Sequence, residues 1–187
     1  MSTIDRVCRA RHPRRPRKWF ISKPLRGLLL ASLGCALGCA LLGCTKTAPT
    51  RDVEVAGERF DLTGLEPKRA DLVTAALAQI GTPYAYGGET PHRALDCSGL
   101  TLVAHQAVGM RIPRVSTQQQ AAARPLQGPP QPGDLVFFRT APSQYHVGLM
   151  VDRQRFVHAS TSKRRVRLAD LDNPYWRERF LGAGSYL

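Results

Sequence analysis

The chain of 187 residues carries a formal net charge of +13, and its length suits one domain with a leader and a tether. The excess of positive charge is concentrated at the amino end, where residues 1–27 hold nine Lys or Arg and one acid. The segment from Thr45 onward holds 18 Lys or Arg and 13 acids. This mildly basic remainder shows no zinc-finger spacing or aromatic RNA-binding motif, so nucleic-acid binding is not indicated. It suits an anionic partner, such as lipid headgroups or the cell wall, or solubility alone.

The first 43 residues predict a lipoprotein signal peptide. An Arg-rich stretch precedes an uncharged apolar run over residues 28–43, which is short for a membrane span of about 20 residues and typical of a signal peptide. Residues 41–44, Leu-Leu-Gly-Cys, resemble a lipobox, so we expect cleavage before Cys44 and lipid on its sulfur. No acidic residue follows directly, and resemblance to other lipoproteins then implies an outer-membrane anchor facing the periplasm. The alternative is an uncleaved N-terminal anchor helix.

The distribution of cysteines leaves one thiol in the mature protein. Three of the five cysteines lie in the leader and Cys44 is the lipid candidate, so only Cys97 remains. A lone thiol in an exported protein has no internal partner and is exposed to oxidants, which favours a reactive role. The alternative is a buried, inert cysteine.

The segment after Cys44 changes character near Glu66. Residues 44–65 mix Thr, Pro, Gly and charges with little periodicity and predict a flexible tether. Residues 66–187 are predicted to form the globular domain. Its first helix has apolar residues at 72, 73, 76, 77 and 80, and a glycine-rich loop over residues 81–88 follows.

Two further helices and a sheet complete the predicted domain. Asp96 is predicted to cap a helix that begins at Cys97 and ends at Gly109, and a short helix is predicted over residues 116–123. Strands are predicted at residues 135–139, 146–151, 156–159, 166–168 and 180–184. The turns between them are too short for parallel crossovers, so we expect a meandering antiparallel sheet of about five to six strands. Helices followed by strands predict an α+β fold.

The position of Cys97 indicates a nucleophile. Unpaired N–H groups and the helix dipole stabilise negative charge at a helix N-terminus, so we expect a lowered pKa for this thiol. Ser98 and Gly99 are small enough for a substrate to approach closely, and backbone N–H groups there could bind an oxyanion. Ser98 and the neighbouring Asp96 are candidate residues for binding the substrate or the oxyanion.

Four histidines could supply the base. His92 lies in a polar loop and the neighbours of His105 suggest a helix surface, whereas His146 and His158 lie on successive predicted strands. In an antiparallel hairpin these two can face each other, so that one orients the other; the alternative is two strand residues with satisfied hydrogen bonds. A zinc site with Cys97 is the other possibility, but the spacing matches no known zinc site. No metal or other cofactor is expected.

Several blocks of residues occur in the order found in one protein family. They are Gly81-Thr82-Pro83-Tyr84, Gly87-Gly88, Asp96-Cys97-Ser98-Gly99-Leu100, Pro132-Gly133-Asp134-Leu135, His146-Val147-Gly148, Phe156-Val157-His158-Ala159-Ser160 and Asn173-Pro174-Tyr175-Trp176. Together they resemble the NlpC-type family of cell-wall peptidases, and the last block is similar to its small lipoprotein members. The resemblance implies a papain-like fold with Cys97 as nucleophile, His146 as general base and His158 as the orienting residue. It also implies that Tyr84 lies beside the nucleophile and binds substrate or the oxyanion.

The implied activity is hydrolysis of amide bonds in the stem peptides of peptidoglycan. The bond is either that between D-glutamate and a diamino acid or the D-alanine–diaminopimelate cross-link. Two alternatives remain: a non-catalytic peptidoglycan-binding lipoprotein, and an amidase or acyltransferase on the same fold. The basic residues 163–167 could grip stem-peptide carboxylates, although a solvated strand face is favoured.

Overall fold

The computed structural model describes residues 50–187 of the protein. The predicted signal peptide and the lipidated Cys44 lie outside the described residues. No helix within residues 50–187 combines the length and the apolar character that a membrane span requires.

A β-hairpin occupies part of the predicted tether. Strands β1 (Asp52–Val55) and β2 (Glu58–Asp61) pair antiparallel, joined at Ala56-Gly57, whose positive φ angles of 56° and 80° are those of a tight hairpin turn. Phe60 and Leu62 are only 3% and 1% exposed and belong to the main core. The prediction of a flexible tether through residue 65 is therefore wrong for this segment. Each strand of the hairpin has only four residues, which is too few for a clear periodicity in the sequence. Its apolar residues find their partners only in the folded domain.

The three predicted helices and five predicted strands are present in the predicted order, and a fourth helix and, besides the hairpin, three short strands are additional. The helices are α1 (Pro67–Leu77), α2 (Cys97–Ala107), α3 (Ser116–Ala122) and α4 (Pro174–Arg177). The strands are β3 (Glu89–Thr90), β4 (Ala94–Leu95), β5 (Arg124–Pro125), β6 (Leu135–Ala141), β7 (Gln144–Met150), β8 (Arg155–Ser160), β9 (Arg165–Asp170) and β10 (Phe180–Ser185). Helices α1 to α3 precede the long strands, so the α+β prediction is confirmed.

The main sheet has six strands in the order β5-β10-β6-β7-β8-β9, and every neighbouring pair is antiparallel. The predicted meander holds for the four consecutive strands β6 to β9. The last strand instead returns to the far side of β6, where it also pairs with β5.

The two faces of this sheet have different partners. Val147 and Val157 belong to the core that the sheet forms with α1 and α2. The alternate residues Met150 and Phe156 belong to a second cluster, against which the ring of Trp176 packs. Because side chains alternate along a strand, His146 and His158 share the face of this second cluster.

Candidate active site

The N-terminus of α2 presents Cys97 as its first residue. Asp96 is the N-cap, and its carboxylate accepts a hydrogen bond of 2.7 Å from the N–H of Gly99. This confirms the predicted cap and fixes the chain direction immediately before the cysteine.

The glycine-rich loop lies directly against this helix terminus. Gly87 N–H donates to the Asp96 carboxylate at 2.9 Å, and Asp96 N–H donates to the carbonyl of Gly88 at 3.0 Å. A Cβ atom at Gly99 would overlap that same carbonyl oxygen. Glycine at this position therefore allows the loop and the nucleophile helix to meet backbone to backbone.

Arg114 joins the loop and the helix electrostatically. Its guanidinium donates to both carboxylate oxygens of Asp96, at 3.0 and 2.9 Å, and to the Ser98 hydroxyl at 2.9 Å. It also donates to the Gly88 carbonyl at 3.2 Å and pairs with Glu89 at 2.8 Å. Sequence reasoning missed this residue, although an arginine before the short helix α3 was the available signal.

A buried amide extends the same support from α3. Gln119 donates to the carbonyl of Ser98 at 3.0 Å and to that of Pro113 at 2.8 Å, and it accepts from the Thr101 hydroxyl at 2.8 Å. The sequence analysis missed this residue too. Its contacts fix α3 against the first turn of α2.

The predicted histidine pair is formed. Nε2 of His146 lies 2.9 Å from Nδ1 of His158, and both rings are buried. Strands β7 and β8 are paired only at Leu149–Val157 and Met150–Phe156, so beyond these pairs their ladder does not continue. There the N–H of Val147 is directed at the sulfur of Cys97. The nucleophile candidate thus lies against β7 beside His146.

Burial keeps both imidazoles neutral. It lowers the pKa of His146 to about 4, against an opposing effect of the Asp96 carboxylate. Burial likewise lowers the pKa of His158 to about 3, with further lowering by His146 and Arg167. Each ring therefore keeps one unprotonated nitrogen at neutral pH.

The expected lowering of the Cys97 pKa is wrong. Burial raises the pKa of the thiol, and the charge of Asp96 raises it further. The N–H groups of Val147, Ser98 and Cys97 act in the opposite direction without prevailing. The prediction considered only the helix terminus, whereas desolvation by surrounding elements is the larger effect. The site consequently holds a neutral thiol beside a neutral imidazole.

Tyr84 interacts electrostatically with Cys97 and Asp96, and its predicted role in binding substrate or the oxyanion stays a prediction. Burial raises the pKa of its phenol, and the charges of Cys97 and Asp96 raise it further. The hydroxyl therefore remains protonated and is a hydrogen-bond donor at neutral pH. Its backbone N–H donates to the carbonyl of Arg164 at 2.9 Å, and the Arg164 guanidinium lies 5.7 Å from its ring centroid.

The other predicted site residues have supporting contacts. The side chains of Asp96 and Ser98 are buried and engaged by Arg114, so a direct role of either in substrate binding stays a prediction. His92 lies in its loop and contacts Gln79.

His105 lies in the interior, and its predicted surface position is wrong. It is 0% exposed, because the ring of Tyr186 packs on it at 5.4 Å from the far end of the chain. Within residues 50–187 no cluster of three or more His, Cys, Asp or Glu side chains could hold a metal ion.

The chain is similar to several known proteins. A segment of 104 residues, 54% of the chain, is 42% identical to the probable endopeptidase NlpC of Escherichia coli (strain K12) and covers 66% of that protein. A segment of 113 residues, 57% of the chain, is 34% identical to the murein DD-endopeptidase MepH of the same organism, 42% of which it covers. A crystal structure of a lipoprotein-like NLP/P60 family protein from Staphylococcus aureus superposes with a TM-score of 0.58 and 30% identity, over 64% of this chain and 41% of that one.

The chain spans between 41% and 66% of the length of these relatives. The sequence model of the NlpC/P60 family matches residues 81–185, which include the glycine-rich loop, the nucleophile helix and both strand histidines. As this match extends over more than half of the chain and the fold is that of the solved family members, the protein belongs to the NlpC/P60 family.

Proposed function

We propose that the protein is a peptidoglycan endopeptidase that uses Cys97 as nucleophile, His146 as general base and His158 as the orienting residue. The observation that carries the proposal is the 2.9 Å hydrogen bond between the two buried histidines, formed beside the helix N-terminus that presents the thiol. A thiol, a neutral imidazole and a group that orients the imidazole are the components of cysteine-dependent acyl transfer.

The proposed roles of Cys97 and His146 determine where their protons must lie before the reaction. A base that receives the Cys97 proton at Nδ1 must have that nitrogen unprotonated, so the hydrogen of His146 is on Nε2 and is donated to Nδ1 of His158. Because burial raises the pKa of the thiol, the proton moves to His146 when the sulfur attacks the substrate carbonyl. The resulting imidazolium then protonates the leaving amine, and water completes hydrolysis of the thioester.

Developing charge on the substrate oxygen has donors nearby. The backbone N–H groups of Cys97 and Ser98 are directed at the sulfur, and the protonated phenol of Tyr84 is close enough to Cys97 for the two groups to interact electrostatically. Such preorganised donors stabilise the tetrahedral intermediate more than they stabilise the planar amide.

The relatives' names support peptidoglycan stem peptides as the substrate class, since one is a probable endopeptidase and another a murein DD-endopeptidase. The scissile bond is that between D-glutamate and the diamino acid or the D-alanine–diaminopimelate cross-link. We further propose that Cys44 is lipidated and holds the domain at the outer membrane, facing the periplasm. Mass spectrometry of the mature N-terminus tests this, and an intact leader contradicts it.

Product analysis on purified peptidoglycan tests the activity and identifies the bond. We expect new amine and carboxylate termini with the parent protein and none with Cys97→Ala or His146→Ala. His158→Gln supplies another hydrogen-bond acceptor and should retain more activity than His158→Ala. Because the residues act as a unit, His146→Ala combined with His158→Ala should be little worse than His146→Ala alone.

The same assay separates the rival functions. Retention of the protein on peptidoglycan without any new termini would establish a non-catalytic binding protein. Transfer of an acyl group to an added amine, in preference to water, would establish an acyltransferase. Full activity of His158→Ala would refute the orienting role.

A further inference from the structure

The short helix α4 is held firmly over the outer face of the sheet. Asn173 caps it by accepting a hydrogen bond of 2.9 Å from the N–H of Tyr175. On its other side, the carbonyl of Arg179 accepts from the N–H of Arg139 on β6 at 2.8 Å. The segment is thus fixed at both ends, which gives Trp176 a defined position.

The indole of Trp176 lies over the histidine pair. It stacks on His146, with ring centroids 5.4 Å apart and planes inclined by 23°. It meets His158 edge-on at 5.0 Å and 79°. Phe138 and Phe156, at 4.7 and 5.2 Å, surround the rest of the indole.

We propose that Trp176 is a positioning residue of the active site: by stacking on His146 it fixes the imidazole plane and keeps water from the His146–His158 hydrogen bond. The inference rests on the proposed function, in which His146 is the base. A single hydrogen bond fixes one ring nitrogen but leaves the plane free to rotate about χ2, whose energy profile is broad. A stacked aromatic ring removes this freedom and favours one orientation of Nδ1.

The same contact controls the charge state of the base. The Asp96 carboxylate acts on His146 from the N-terminus of α2, the sulfur of Cys97 accepts from the N–H of the neighbouring Val147, and Arg167 acts on His158 from β9. Burial is nevertheless the main cause of the lowered His146 pKa, and the indole supplies one side of that burial. Removing the indole admits water and returns the pKa toward its ordinary value of about 6.5.

The pH dependence of hydrolysis tests the proposal in the full chain. We expect Trp176→Leu to lose more activity at pH 5 than at pH 8, by up to about 30-fold, because an imidazole with the ordinary pKa of about 6.5 is about 97% protonated at pH 5. Trp176→Phe preserves an aromatic stack and should keep its acid limb close to that of the parent.

Phe180→Leu is the matched control. It removes an aromatic ring that packs on Phe138 at 5.8 Å and that has no ring contact with either histidine within the described residues, so its pH profile should equal the parent's. An unshifted acid limb in Trp176→Leu, or an equal shift in Phe180→Leu, would overturn the proposal.

Fluorescence tests the stack without reference to activity. The chain has two tryptophans, so Trp19→Phe leaves Trp176 as the only one whether or not the predicted signal peptide is cleaved. A protonated imidazole in contact with indole quenches its emission, whereas a neutral one quenches little. Emission should therefore fall as the pH is lowered through about 4, and the change should disappear in His146→Gln, with circular dichroism recorded at each pH to verify the fold.

The two readouts distinguish the two proposals. Quenching in a parent protein that hydrolyses no peptidoglycan would refute the proposed function and support the stack. Hydrolysis without any quenching that depends on His146 would refute the positioning role of Trp176 and leave the endopeptidase proposal standing.

Discussion

Replacing Arg114 by Gln should destabilise the domain and slow the reaction of the nucleophile. The substitution removes the guanidinium that joins Asp96, Ser98 and Gly88. Asp96 would then remain as a carboxylate, buried at the helix terminus and without its ion-pair partner.

The expected loss of folding free energy depends on how far the Arg114–Asp96 ion pair is buried. The side chains of Arg114 and Asp96 are 31% and 11% exposed. Removing one partner of a fully buried pair costs about 3–5 kcal/mol, whereas an exposed pair contributes at most about 1 kcal/mol. Because Arg114 is partly solvated and Asp96 keeps two backbone donors, we expect a loss of about 2 kcal/mol. For a domain of this size that corresponds to a Tm lower by about 6–10 °C.

The reactivity of Cys97 gives a second measurement. Asp96 already raises the pKa of this thiol, and without Arg114 its charge is uncompensated, so alkylation by iodoacetamide at pH 7 should become slower. Asp96→Asn in the Arg114→Gln background should restore part of the alkylation rate, and the two changes should be less than additive in stability. Arg114→Lys keeps the charge but not the paired donors, so it should fall between Gln and the parent.

If Arg114→Gln unfolded within about 1 °C of the parent and reacted with iodoacetamide at the parent rate, Arg114 would be a surface residue of no consequence for the site.

Three further predictions concern the fold. Gly99→Ala should destabilise the domain by about 1–3 kcal/mol in urea unfolding, because its Cβ overlaps the Gly88 carbonyl, whereas Gly128→Ala, which has open space around it, should be nearly neutral. Phe60→Ala should cost about 3–5 kcal/mol, since the ring is 3% exposed; unchanged stability would mean that the hairpin is a mere tether. His146 is neutral in the fold but protonated below about pH 6.5 in the unfolded chain, so stability should fall with decreasing pH from about 6.5 to about 4, by about 1.4 kcal/mol per pH unit for this histidine. His146→Gln should reduce that slope, and an identical slope would contradict the assignment.

The sequence by itself determined those features that depend on neighbouring residues. Asp96 caps the helix it precedes, because a cap bonds to N–H groups two or three positions away. The short apolar segments that contain His146 and His158 predicted two strands, and their short connection predicted that the two rings could meet. The order of the motif blocks identified the family before any distance was known.

Only the tertiary structure decided the features that depend on distant segments. Phe60 enters the core and Tyr186 buries His105, although neither contact is visible in the local pattern of the sequence. Arg114 reaches back to Asp96 across 18 positions of the chain, and Trp176 covers His146 from beyond β9. Desolvation is a property of the whole surrounding shell, so the raised pKa of Cys97 and the lowered pKa of His146 could not be obtained from the helix terminus or the strand alone.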